Sequence, residues 1–129
     1  MDARFEFQVD VGRSLVRTTL SGFFTDETVA GYLAARKAAF AKLKCGANQH
    51  LSLTDTRGMA IQTQEVVTRW REILADPLYR SRRLAFVVAS TLTRNQLQRA
   101  IGCRDARVFT DMAEAEAWVL EAETGRRAA

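Results

Sequence analysis

The sequence predicts an α/β layered domain, in which an N-terminal β-hairpin and three strand-helix units build a mixed, mostly parallel five-stranded sheet with four helices. Three observations carry this. Residues 5 to 11 alternate apolar and polar side chains with a period of two, which marks a half-buried strand. Arg83-Leu84-Ala85-Phe86-Val87-Val88-Ala89-Ser90 is almost continuously apolar, as a parallel strand covered on both faces must be. Helix-start chemistry recurs at Thr25-Asp26-Glu27, at Thr93 with Gln96, and at Asp111 with Glu114, where short oxygen-bearing side chains satisfy unpaired amides.

In chain order, Phe5, Phe7, Val9 and Val11 form the apolar set of the first strand, and Gly12-Arg13 supplies a turn. Ser14 to Ser21 resumes an extended pattern rich in Val, Leu and Thr, with Gly22 closing the hairpin. A two-stranded ribbon is marginal alone, so more sheet must follow. The first helix is expected from Thr25 to about Lys44: Val29, Tyr32, Leu33, Ala39, Phe40 and Leu43 give one apolar face, Arg36, Lys37, Lys42 and Lys44 load the other, and Gly46 ends it. Gln49 to Thr54 reads as a short third strand, with Asp55-Thr56-Arg57-Gly58 as a polar loop leaving it. A second helix over Thr63 to Ala75 buries Val66, Val67, Trp70, Ile73 and Leu74, and Asp76-Pro77 stops it because proline cannot continue the ladder.

The apolar strand Arg83 to Ser90 is expected at the sheet's centre. Thr93 opens a third helix through Leu97, Ala100 and Ile101 that ends at Gly102. Arg107-Val108-Phe109-Thr110 is the last strand, and Asp111 opens a fourth helix with Met112, Ala115, Trp118 and Val119 inward. Glu121 to Ala129 reads as a frayed polar tail. Parallel strands joined by helices demand right-handed crossovers.

With 129 residues, 47% hydrophobic and 26% charged, the chain is sized for one domain. Its apolar runs fall far short of the roughly 20 residues that span a bilayer, and Met1-Asp2-Ala3-Arg4 has no signal-peptide character, so a cytoplasmic protein is expected. Cys45 and Cys103 each sit beside a glycine at a predicted helix end, without a Cys-x-x-Cys partner or a neighbouring histidine, and read as reduced, small, partly buried residues. Sixteen arginines, three lysines and a net charge of +4 point weakly toward anionic partners. The basic cluster Arg69, Arg71, Arg80, Arg82, Arg83 has no interleaved exposed aromatics for base stacking, which argues against nucleic acid.

Arg83 to Val88 followed by a polar loop and helix, Arg107-Val108-Phe109-Thr110-Asp111 leading to Glu114-Ala115-Glu116-Ala117-Trp118-Val119, and Leu51-Ser52-Leu53-Thr54-Asp55-Thr56-Arg57-Gly58 together resemble the SpoIIAA-like branch of the STAS fold (sulfate transporter and anti-sigma factor antagonist) over most of the chain. The resemblance implies a regulatory module whose second helix starts at a serine that a partner kinase phosphorylates. Here that place reads Ile61-Gln62-Thr63-Gln64, with no Asp before the hydroxyl residue and no Gly after it. Thr63 is the residue left in the phosphoacceptor position, and as a helix N-cap it has an ordinary structural role as well. The resemblance also implies an apolar ligand held between helix and sheet.

Candidate site residues cluster at the carboxyl ends of the predicted parallel strands, where open α/β sheets collect ligands. Asp55, Thr56, Arg57 and Thr63 follow one strand; Ser90, Thr91 and Thr93 follow the next. With the amides of two helix starts they would form a small anion-binding rim, unless they only cap turns and helices. His50 has no fixed partner and reads as a strand-edge residue, while Trp70, Trp118, Tyr32 and Phe40 fall on helical stripes and read as core. No cofactor or metal set is apparent. The expectation is a non-enzymatic module acting through protein contacts, with homodimerisation open to it. A carrier of a small anionic or lipid-like ligand is the rival, and an enzyme using Asp55 and nearby hydroxyls a distant third.

Overall fold

The computed structural model describes residues 2–101 and 105–128. Its order is β1 (Arg4–Asp10), β2 (Leu15–Gly22), α1 (Asp26–Phe40), β3 (Leu51–Met59), α2 (Gln64–Ala75), a 3-10 turn (Pro77–Tyr79), β4 (Arg83–Val87), α3 (Thr91–Ile101), β5 (Ala106–Phe109) and α4 (Met112–Ala128). The strands lie side by side in chain order; β1 and β2 are antiparallel, and every other pair is parallel. This is the mixed α/β sheet with four helices that the patterning predicts.

Side-chain alternation divides the sheet between two layers. On one face Leu20, Phe24, Val29, Tyr32 and Val66 pack with Phe5, Phe7 and Trp70, and beside them Leu84, Phe86, Val88 and Val108 meet Leu74, Leu97 and Ile101, so α1, α2 and α3 share that side. On the other, Leu15, Leu51, Leu53, Ala85 and Val87 pack against Ala115 and Val119, leaving α4 as the cover. Phe24 is fully buried, a contribution of roughly 2 to 3 kcal/mol relative to exposure. Tyr32 and Trp70 meet edge to face with ring centroids 4.9 Å apart, and Trp118 is half-buried beside Phe109, so the aromatic stripes are core or its margin.

Several boundaries differ from the sequence reading, each for a local reason. Helix α1 stops at Phe40, not Lys44, because Lys42 and Leu43 donate to carbonyls three residues back and tighten the chain out of the α-helix. Arg36, assigned to its polar side, is buried: its guanidinium stacks 3.8 Å over the Tyr79 ring and reaches Asp76 at 3.7 Å. Strand β3 does not end at Thr54 in a polar loop. It continues through Asp55-Thr56-Arg57-Gly58 to Met59, re-pairing Ser21 with Gly58 and Gly22 with Met59 after a register shift between Thr19 and Ser21. Gly58 permits this, since a Cβ there would lie 2.9 Å from that of Ser21.

Strand β4 ends at Val87, and α3 starts at Thr91 with Ser90 in the cap position, two residues before the helix start assigned to Thr93. Ser90 Oγ accepts from the Thr93 amide at 3.2 Å. The predicted stop at Gly102 and the second cysteine, Cys103, lie outside the described residues. Helix α4 extends to Ala128, through residues that read as tail. No helix among the described residues is long and apolar enough to cross a membrane.

Candidate functional site

The sheet has two functional-looking ends, and only one is foreseen by the sequence. At the carboxyl end of the parallel strands, Asp55 and Arg57 project from the same side of β3, two residues apart. Arg57 donates from Nε to Asp55 Oδ1 at 3.0 Å and from Nη2 to Oδ2 at 2.9 Å, and its amide donates to Oδ1 at 3.0 Å. The guanidinium hydrogen bond holds the Asp55 carboxyl below its usual range, against the opposing effect of partial burial, and Arg57 is raised in turn by Asp55 and by nearby Asp111. A carboxylate neutralised in this bidentate way is a poor proton acceptor.

The hydroxyl residues are occupied separately. Thr56 Oγ1 donates to the Val87 carbonyl at 3.0 Å and closes the end of β4. Thr63 caps α2, its Oγ1 accepting from the Val66 amide at 3.2 Å, and its side chain faces solvent. Ser90 and Thr93 lie with their oxygens 2.9 Å apart at the start of α3, next to exposed Thr91. Period-two alternation explains why the seven residues do not converge. Asp55 and Arg57 share the α4 side with Leu51 and Leu53, whereas α2 and α3, with Thr63 and Ser90 to Thr93, start on the opposite side.

Two features of this rim escape the sequence. Gln62 bridges the β2-α1 and β3-α2 connections: its Oε1 accepts from the Phe24 amide at 2.8 Å, and its Nε2 donates to the Gly22 carbonyl at 2.9 Å. It holds Ile61 outward with 94% exposure. Phe23 after β2 and Leu92 after β4 are also exposed, so large apolar side chains follow three neighbouring strands at one end of the sheet. The single signal available was Ile61, an isoleucine in an otherwise polar connection.

The opposite end holds an open cleft of about 300 Å³ between the end of α1, the α1-β3 loop and the 3-10 turn. His50, read as a strand-edge residue, lies buried at its floor, because Phe40 packs edge-on to the imidazole at 4.7 Å while Ser81 Oγ meets Nε2 at 3.1 Å. Ser81 continues to Ser52 Oγ at 2.6 Å. Burial pushes the imidazole pKa down, partly opposed by a hydrogen bond to the Tyr79 backbone. Phe40 also meets Tyr79 at 5.1 Å. Asn48, with a left-handed φ of 62°, donates to the Pro77 and Arg80 carbonyls at 2.9 Å each and ties the two walls together. Only tertiary contact assembles this set, since its members come from two distant stretches of chain, 40–52 and 77–81. No group of acidic, His or Cys side chains among the described residues has a metal-binding arrangement.

No family model matches the chain, and no curated protein matches it. Among solved structures it is similar to an uncharacterized protein of the DUF3478 family with a SpoIIAA-like fold from Shewanella loihica PV-4, with a TM-score of 0.72 over 92% of this chain and 96% of that one, at 12% identity. The chain thus has a SpoIIAA-like α/β fold. At that identity the likeness concerns the fold alone.

Proposed function

We propose that this protein is a non-enzymatic binding module that works through protein contacts at the carboxyl end of its parallel strands. The observation that carries the reading is the exposure of Phe23, Ile61 and Leu92 after three adjacent strands, with Ile61 held in place by Gln62. Exposed apolar side chains on braced connections suit a partner surface that buries them. The polar residues beside them are spent on caps and on the Asp55-Arg57 pair, which suits binding better than proton transfer.

Affinity capture from the source cell tests this, comparing the native chain with an Ile61→Asp, Leu92→Asp double variant and with Thr63→Glu. A partner retained by the native chain and lost from the double variant is the expected result, and identical retention by both would overturn the rim as the docking edge. Loss with Thr63→Glu alone would place phosphorylation in control of it. Sedimentation of the purified chain at rising concentration decides whether the partner is a second copy.

A second reading, a carrier or sensor of a small anionic or lipid-like ligand, is favoured by the cleft at the other end, which matches the lower size range of small-molecule sites.

A further inference from the structure

The cleft between α1 and the 3-10 turn has a chemistry that specifies its ligand more closely. Its floor is aromatic, made by the His50, Phe40 and Tyr79 rings in edge-to-face array. Phe40 and Tyr79 are half-buried and keep ring surface toward the cleft, Arg36 taking one face of Tyr79 at 3.8 Å, and offset or edge-on ring pairs add roughly 0.5 to 1.5 kcal/mol beyond area burial. Leu78, 74% exposed, stands at the lip, where an occupant would cover it. Lys37 is the charged residue of the lining, and among the described residues no carboxylate lines the cleft with it. His50 Nε2 meets Ser81 Oγ at 3.1 Å, and the buried imidazole backs the Phe40 ring from below.

The walls are braced independently of any ligand by the two Asn48 hydrogen bonds, so little ordering is left for binding to accomplish. A volume of about 300 Å³ suits a monocyclic ligand. We propose that this cleft is a binding site for a small aromatic carboxylate, its ring against Phe40 and Tyr79 and its carboxylate on Lys37. The assignment rests on the carrier reading and narrows it from anionic or lipid-like ligands to one class.

Cys45, half-buried in the same lining, is a built-in reporter. In a Cys103→Ser background a single thiol remains, and its alkylation by iodoacetamide is followed with increasing benzoate, benzamide or decanoate. Benzoate is expected to slow labelling saturably and benzamide to do so less well. Lys37→Gln should raise the half-saturating benzoate concentration about threefold, the worth of one exposed ion pair. Protection by decanoate without protection by benzoate overturns the aromatic assignment and leaves the carrier reading standing. Protection by none of the three overturns both.

Discussion

The most informative single residue is His50. The unfolded chain takes up an imidazole proton near the ordinary value of 6.5, whereas burial lowers that value in the folded protein. Below about pH 6.5 the unfolded state therefore binds more protons, so stability falls as the pH drops through that value and is fully present above it. Urea midpoints measured at about pH 7.5 and about pH 5 should decrease in that order, with the decrease smaller in His50→Gln. An equal decrease in both proteins would assign the pH response to other groups. Gly22 gives a second residue-scale expectation. Its φ is +82° and an added Cβ would run into the Asp2 carbonyl, so Gly22→Ala should cost about 2 kcal/mol or more by the same measurement.

At the scale of elements, the Gln62 bridge is what makes the loop after β3 a rigid platform. Gln62→Ala would leave the Phe24 amide without its acceptor, a loss of about 1 to 3 kcal/mol in urea unfolding. The same change should raise hydrogen exchange at Ile61 and Thr63 ahead of the sheet. Elements whose patterning is local were legible from sequence: β1 through strict alternation, β4 through continuous apolarity, and α1 and α2 through their caps at Thr25 and Thr63. Elements that depend on a distant partner were not. The Asp55 to Gly58 stretch reads as loop because its side chains are polar, yet an extra residue in β3 between the Thr19-Asp55 and Ser21-Gly58 pairs and the absence of a side chain at Gly58 let it pair on. Arg36 reads as surface because nothing nearby in sequence announces Tyr79 as a stacking partner. The residues read as a rim lie at the carboxyl end of the strands but are divided by the sheet, since Asp55 with Arg57 and the cap hydroxyls belong to opposite faces. The cleft was invisible, being assembled from the end of α1, the loop before β3, His50 and the 3-10 turn.

For the whole molecule, the two proposed sites sit at opposite ends of one sheet. The nine residues of β3 separate His50 at its start from the connection bearing Ile61, a span of about 30 Å at strand rise. Perturbations that far apart without shared partners add independently unless a two-state element links them. The strand is itself paired on both sides along its first half, to β2 and to β4, which favours a rigid spacer over a switch. The Ile61→Asp, Leu92→Asp variant should therefore lose its partner while its benzoate half-saturation at Cys45 stays within about twofold of native, and Lys37→Gln should keep partner capture while its benzoate affinity drops. A rim variant that shifts benzoate protection more than this would mean the ends are coupled. The module would then read occupancy of the cleft out as a change in partner affinity, and by linkage the partner would have to alter benzoate affinity by the same factor.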